Sequence, residues 1–288
     1  MSDQARILDR GYRRYDGPRG GRYDAVKVVT RFSLGRVLGI GRGIWPKILP
    51  IATIIISFLP AVVFVGMAAL IPDELDEALP TYGEYYSFVT MAIVIFAAFV
   101  APELLCADRR TRLIALYLSS ALDRMTYLVA KGLAVVVSLG IVTIGPPLLL
   151  LVAYTFQGTG PGSIGEFFDV LWRVVAAGAV VAGILTSLSL AISSLTDRNG
   201  IASAAVILTL LLSSVVAAAL TEGAGGPDEL HVLDLFTLPF EISARIFGDV
   251  PPAWPEVSTS FLVVAGLGWT AFFVGVVVWR YQRIEVTR

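Results

Sequence analysis

The sequence predicts an all-α membrane protein with six transmembrane helices. Of its 288 residues, 56% are hydrophobic and only 16% are charged, and the mean hydropathy is +0.77. Soluble domains carry roughly 25% charged residues. Six apolar runs approach the ~20 residues that a helix needs to cross a bilayer. They are 48–71, 86–106, 132–156, 172–195, 200–220 and 260–279.

The charged residues alternate between the segments that connect these runs. Twenty of the 22 Lys and Arg residues lie in 1–47, 107–131, 196–199 and 280–288. The other connections are predominantly acidic, and they are 72–85, 157–171 and 221–259. Because Lys and Arg accumulate on the cytoplasmic side of a membrane, the alternation predicts six spans with both termini in the cytoplasm of a cell with a plasma membrane.

We expect one domain over 1–288, made of a cytoplasmic segment 1–47, a six-helix bundle 48–279 and a cytoplasmic tail 280–288. Residues 1–47 contain no continuous apolar stretch that would act as a signal peptide, so the first span is expected to direct insertion.

Residues 24–45 predict an interfacial helix before the first span. At 100° per residue, one side carries Val26, Val29, Phe32, Val37 and Ile40. Lys27, Arg31 and Arg42 lie on another side, and Arg36 breaks the pattern. A basic amphipathic helix of this kind binds anionic lipid. The alternative is a cytoplasmic linker with scattered arginines.

The segment DRRTRLIALYLSSALDRMTYLVAKG, residues 108–132, follows the second apolar run. Its apolar core, 113–122, would reach only ~15 Å as a helix, which is about half of the hydrocarbon thickness. We therefore expect a short helix that lies at the inner membrane surface.

Two further features lie between or within the spans. The apolar stretch 230–248 is interrupted by Pro239 and by charges, which predicts re-entrant or amphipathic helices at the outer surface before the last span. Pro146 and Pro147 predict a break in the third span. Such a break could be a hinge or an ordinary kink.

The sequence lacks the residue types and motifs that most catalytic, metal-binding and ATP-binding sites require. Cys106 is the only cysteine and His231 the only histidine, so we expect no catalytic residue, metal site or bound cofactor in this chain. No P-loop motif is present, which excludes ATP binding of that type. Glu103, near the inner end of the second span, is the one acid that we single out as a possible functional group within the membrane. An ion-coupled carrier usually needs ionisable groups at mid-membrane.

Several segments of the sequence resemble those of the ABC-2 type permeases. APELLCADRRTRLIALYLSSALDRMTYLVAKGLA, residues 101–134, is similar to the first cytoplasmic loop of that family, although many members have Gly-Thr-Leu where this chain has Thr111-Arg112-Leu113. SLSLAISSLTDRNGIASAAVI, residues 187–207, resembles the connection between spans 4 and 5. The segment 11–23 resembles the leader of an actinobacterial, hence bacterial, branch.

The resemblance implies a cytoplasmic coupling helix that docks on an ABC ATPase. The residues implied in ATPase coupling are Asp108, Arg109, Arg110, Thr111, Arg112, Leu113, Leu116, Tyr117, Leu118, Ser120 and Arg124. Asp197 and Arg198 would form a second cytoplasmic contact. The implied partners are two ATPase subunits, which carry the ATP and Mg, and a second permease subunit, which forms a homodimer with this chain. Membrane lipids are further expected partners. No nucleic acid is expected.

The sequence therefore predicts the permease subunit of an ABC exporter, without enzyme activity of its own. Its apolar spans suit an amphiphilic or hydrophobic substrate. A membrane sensor or anchor for a regulatory ATPase is the main alternative, followed by an ion-coupled secondary carrier.

Overall fold

The computed structural model describes residues 21–41, 43–70, 79–111, 113, 117 and 122–283. Within those residues the chain is helical and contains no β-strand. The α-helices are α1 (Arg22–Val37), α2 (Trp45–Ala68), α3 (Tyr85–Arg110), α4 (Arg124–Thr143), α5 (Gly145–Gln157), α6 (Ile164–Ser193), α7 (Asn199–Ala218), α8 (Leu238–Phe247) and α9 (Thr259–Gln282). A π-helical turn (Ala219–Gly223) and a 3-10 helix (Asp228–Leu233) connect α7 to α8.

Among the described residues, six helical segments are long and apolar enough to cross a membrane, which confirms the predicted number of spans. They are Lys47–Ala68, Tyr85–Arg110, Arg124–Gln157, Ile164–Ser193, Asn199–Gly223 and Thr259–Gln282. The second span extends beyond the predicted run, because the helix continues through Arg109 and Arg110. The third span joins α4 and α5.

Helices α3 and α6 lie at the centre of the bundle. Each has more buried residues than the peripheral helices α2, α7 and α9. Both carry small side chains at buried positions, such as Ala97 and Ala101 on α3 and Ala177 and Ala182 on α6. Small residues let helix backbones approach closely in membranes, where apolar burial alone provides little driving force.

The break in the third span lies at Ile144, between α4 and α5. Pro146 and Pro147 have no N–H, so the carbonyls four residues earlier, those of Val142 and Thr143, lose their helical donors. Two tyrosines at the start of α3 replace these donors. The Tyr86 hydroxyl donates to the Thr143 carbonyl at 2.7 Å, and the Tyr85 hydroxyl donates to the Ser57 carbonyl at 2.9 Å and to the Val142 carbonyl at 3.4 Å. The predicted break is confirmed, and α3 satisfies the backbone that it frees.

Gly178 of α6 lies directly against the same break. A Cβ at this position would collide with Cγ1 of Ile144 and would lie 3.2 Å from the Thr143 carbonyl oxygen. The Thr143 hydroxyl donates to the Gly178 carbonyl at 3.1 Å. Because the φ of Gly178 is not positive, the backbone conformation does not require a glycine here. The requirement comes from the close packing of α6 against the break.

Helix α1 packs along α4 through part of the predicted apolar side. Its buried residues are Val29, Ser33 and Val37, whereas Phe32 is 58% exposed and Ile40, beyond the helix, is 68% exposed. Val29 and Val37 of the predicted apolar side thus face the bundle, and whether Phe32 and Ile40 lie on lipid stays a prediction. Helix α1 also ends at Val37 rather than near residue 45.

Between α7 and α9 the chain forms the predicted additional helices. The longest, α8, packs on α6 and α9 and buries Leu238, Ile242 and Phe247. Glu241 and Arg245 form an ion pair at 2.8 Å on α8, with side chains 2% and 10% exposed. The depth of these helices in a membrane stays a prediction.

Candidate functional site

The basic segments of the chain meet at one end of the bundle, which we call the basic end. It comprises α1, the last turn of α3, the first turns of α4, the α6–α7 turn and the last turn of α9. The opposite, acidic end comprises residues 79–84, 158–163 and 219–258. The Gly83 N–H donates a hydrogen bond to the Asp249 carboxylate at 3.1 Å and so joins two segments of the acidic end.

Three consecutive residues at the end of α3 point in different directions. Successive side chains on a helix are about 100° apart. Asp108 is completely buried, Arg109 is half-buried against a neighbouring turn, and Arg110 is exposed. Residues that form one charged cluster in the sequence therefore have separate environments.

Asp108 lies inside a buried ionic cluster. Its Oδ2 is 2.7 Å from Nζ of Lys131, and its Oδ1 accepts from the Arg36 guanidinium at 2.7 Å. The Tyr127 hydroxyl donates to Oδ2 at 3.0 Å, and the Lys131 ammonium donates to the Ser33 hydroxyl at 3.0 Å. The Asp108 and Lys131 side chains are both 0% exposed. This cluster joins α1, α3 and α4.

A buried charge is tolerated only when it is paired and hydrogen-bonded. Each Asp108 carboxylate oxygen meets both conditions. Because the carboxylate faces Lys131 and Arg36 of the same chain, Asp108 has no exposed surface for direct contact with a partner.

Glu103 belongs to the same end of the bundle. Its Oε1 lies 3.6 Å from Nε of Arg36, and its Oε2 accepts from the Asn199 side-chain amide at 3.1 Å. The side chain is 29% exposed. Glu103 thus connects α3 with α1 and α7 near the basic end, rather than lying at the middle of the bundle.

Arg109 connects α3 to the turn between α6 and α7. Its Nε lies 2.8 Å from Oδ1 of Asp197, and a terminal nitrogen donates to the Ser194 carbonyl at 2.6 Å. Carbonyls at a helix C-terminus have no intrahelical donor, and a cation there also interacts well with the helix dipole. Arg109 belongs to the predicted coupling segment and Asp197 to the predicted second cytoplasmic contact. The structure therefore places these two predicted sites next to each other.

Arg110, Thr111 and Arg198 are exposed around this link. The Thr111 hydroxyl donates to the carbonyl of Ala107 in its own helix at 2.7 Å. These three residues form a surface that we call the basic-end surface. The guanidinium groups of Arg110 and Arg198 are exposed on this surface and can form ion pairs with acidic groups of a partner.

Of the predicted apolar core 113–122 the structure describes Leu113 and Tyr117, which have helical backbone, and Leu122, which is buried and not helical. Leu113 and Tyr117 are half-buried. The Tyr117 ring centroid lies 5.4 Å from Nζ of Lys131 and 5.6 Å from the ring centroid of Tyr127, so this ring faces the bundle. Burial, followed by the neighbouring Asp108 charge, raises the pKa of Tyr117. The other predicted coupling residues, Arg112, Leu116, Leu118 and Ser120, lie outside the described residues.

Arg124 interacts with the last turn of α9. Its guanidinium donates to the carbonyls of Gln282 at 2.7 Å and of Tyr281 at 3.4 Å. Just before it, Asp123 caps α4 by accepting from the Thr126 N–H at 2.7 Å. This hydrogen bond is the main reason why the pKa of Asp123 is lowered.

Sequence reasoning missed the inward partners of Asp108. Lys131 and Tyr127 lie in the segment 101–134 that resembles the permease loop, and no inward contact was predicted for either of them; Arg36 was a break in an amphipathic pattern. That break was a usable signal, because Arg36 follows Val29 by seven residues and therefore lies on the same side of the helix. A charge on an inward side indicates a buried partner.

The described residues contain no group of three or more His, Cys, Asp and Glu side chains arranged to hold a metal ion. His231 stacks on Trp254 with ring centroids 5.1 Å apart.

Comparison with known proteins identifies the family. A family model described as "ABC-2 family transporter protein" matches residues 51–286, which is most of the chain and includes most of the first span and all of the other five. A search of curated proteins finds no match to this sequence. The chain belongs to the ABC-2 family of transporter proteins and is a multi-pass membrane permease of an ABC transporter, a complex whose ATPase activity resides in a partner subunit.

Proposed function

We propose that the chain couples ATP hydrolysis by two cytoplasmic ABC ATPase subunits to the export of an amphiphilic or hydrophobic substrate. In this proposal the basic end faces the cytoplasm, as the distribution of Lys and Arg predicts. The ATP and Mg are bound by the partner subunits, and a second permease chain completes the pathway.

The observation that carries the proposal is the basic-end surface. The Arg109–Asp197 ion pair at 2.8 Å fixes the end of α3 beside the α6–α7 turn. Arg110 and Arg198 are then exposed on two adjacent structural elements, with the predicted coupling segment beginning at the same place. Charges at the rim of an interface determine partner choice and register more than they determine affinity. We assign Arg110, Thr111 and Arg198 to contact with the ATPase, and Arg109 to holding the two elements together.

Within the part of the chain that the structure describes, no buried charged side chain lies in the middle of the bundle, and this supports a partner as the source of energy. Among the described residues, the buried charged side chains lie near the ends of the spans: Asp108 and Lys131 near the basic end, and Asp234 and Glu241 near the acidic end. Ion-coupled carriers place such groups on a path through the membrane.

The exposed side of α1 supports contact with anionic lipid in the cytoplasmic leaflet. Lys27 and Arg31 are exposed one turn apart, beside Val28 and Phe32, which are 66% and 58% exposed. Basic and aromatic residues together are typical of a helix at the membrane surface.

Co-purification tests the proposal. The chain is purified from the native membrane, and the bound ABC ATPase is quantified for the wild type and for Arg110→Ala/Arg198→Ala. We expect the double variant to retain less ATPase at low salt and to show a shallower further loss of ATPase as salt is raised, because two ion pairs that salt would screen are already removed. Lys27→Ala, which removes an exposed cation of α1 at the same end, is the matched control.

Equal ATPase retention by the double variant and the wild type would refute the assignment of this surface. Stimulation of the bound ATPase by a cargo without uptake of that cargo into vesicles would favour the sensor function instead.

A further inference from the structure

The segment between α3 and α4 contacts the bundle through an aromatic column. Tyr117 of this segment lies 5.6 Å from Tyr127 of α4, and Tyr127 lies 6.0 Å from Tyr281 of α9, between ring centroids. Aromatic rings attract each other at centroid separations of 4.5–7 Å. The three rings, which we call the tyrosine column, connect the predicted coupling segment to α4 and to the last turn of α9.

The column is fixed to the buried ionic cluster. The Lys131 ammonium lies 5.4 Å from the Tyr117 ring centroid and 5.6 Å from that of Tyr127, and it is 2.7 Å from Asp108. Cation–π attraction is strongest when the cation is desolvated, and Lys131 is 0% exposed. Tyr117 therefore covers one side of the charge that links α4 to α3 and, through Ser33, to α1.

The ionic cluster makes this junction stiff. Separating a buried pair leaves each charge without its partner and without water, so partial separation is costly. The Arg36 guanidinium holds the other carboxylate oxygen of Asp108 from α1 at 2.7 Å. A displacement of Tyr117 therefore either moves α1, α3, α4 and the end of α9 with it or separates its ring from Lys131 and Tyr127.

We propose that Tyr117 is a positioning residue that transmits movement of the coupling segment to the bundle, through Lys131 and Tyr127, rather than a residue that contacts the ATPase. This inference rests on the proposed function. It differs from the assignment that the family resemblance implies for Tyr117, in which the ring fills a groove on the ATPase. Tyr117→Leu removes the ring and keeps an apolar side chain, and Tyr117→Phe keeps the ring.

The experiment measures ATP-dependent movement of α9 in the complex of the chain with its ATPase. Cys106 is the only cysteine and is buried, so Ser260→Cys, at the exposed acidic end of α9, provides the accessible label site. The maleimide labelling rate is compared with and without ATP and vanadate, and the bound ATPase is quantified in the same samples. The parent chain without Ser260→Cys gives the background.

In the Tyr117→Leu variant we expect the ATP-dependent change in labelling rate, per bound ATPase, to fall about fivefold or more, which is the lower bound for loss of a typical coupling between sites. Tyr117→Phe should retain the change. Lys131→Met should lose it, whereas Glu241→Gln, which disrupts a buried ion pair at the acidic end, should keep it.

Two results would overturn the inference. One is a full labelling change in Tyr117→Leu. The other is release of the ATPase by Tyr117→Leu, which would make the ring a docking residue. If the wild-type preparation carries no ATPase, the proposed function itself is wrong, and the inference fails with it.

Discussion

Replacing Tyr86 by Phe should destabilise the bundle at the break between α4 and α5. The Tyr86 hydroxyl is the donor, at 2.7 Å, to a Thr143 carbonyl whose helical donor is missing because residue 147 is proline. Tyr86 is 3% exposed and Thr143 is 0% exposed, so water has little access to the abandoned carbonyl. A buried polar group left without a partner costs about 1–3 kcal/mol, and we expect the free energy of unfolding to fall by that amount.

Thermal unfolding in detergent can be followed with a thiol-reactive dye, since the buried Cys106 becomes reactive when the chain unfolds. Tyr154→Phe is the matched control. Tyr154 is 4% exposed, and its hydroxyl makes only a long hydrogen bond of 3.4 Å to the Pro80 carbonyl. Tyr86→Phe should unfold at a temperature several degrees lower than Tyr154→Phe, at about 2–4 °C for each kcal/mol. Equal transition temperatures would refute the argument that Tyr86 replaces a proline-deleted donor.

Three further predictions concern stability and can be checked with the same unfolding assay. Asp108→Asn leaves the buried Lys131 charge unpaired and should cost about 3–5 kcal/mol, and adding Lys131→Met should cost less than the sum of the two single changes. An additive result would show that the two groups do not interact. Gly178→Ala forces a methyl group against the α4–α5 junction and should cost about 1–3 kcal/mol, whereas Gly183→Ala, with open space at its Cβ, should change little. The lowered pKa of Asp123 means that its cap stabilises α4 above the ordinary carboxyl pKa of about 4, and that this stability is lost as the pH falls through the lowered value. Asp123→Asn should therefore weaken the decline of the transition temperature in acid, and an unchanged decline would contradict the role of the cap.

The spans could be predicted from the sequence because their signal is local. A bilayer requires about 20 apolar residues in one run, and the charges between the runs reinforce the count. The break at residues 146–147 is also local, since proline removes a specific donor. Its compensation by Tyr85 and Tyr86 is not, because those side chains come from a helix that is 57 residues away in sequence.

The directions of the charged side chains at the basic end could not be predicted in the same way. Asp108, Arg109 and Arg110 are adjacent in sequence and resemble a single exposed cluster. Whether each side chain is buried depends on the rotation of α3 about its axis, and the partner Arg36 is 72 residues away. Tertiary packing therefore decided that Asp108 lies inside the bundle and Arg110 outside.

Crosslinking tests most directly the central claim that a partner ATPase works on the basic end. A cysteine introduced by Thr111→Cys at the exposed end of α3, and one introduced by Glu229→Cys at the exposed acidic end, are each compared in the chain bound to its ATPase. We predict that a bifunctional thiol–amine reagent joins the ATPase to the Thr111→Cys chain and not to the Glu229→Cys chain. A crosslink from Glu229→Cys, or none from Thr111→Cys while the ATPase is bound, would contradict the account.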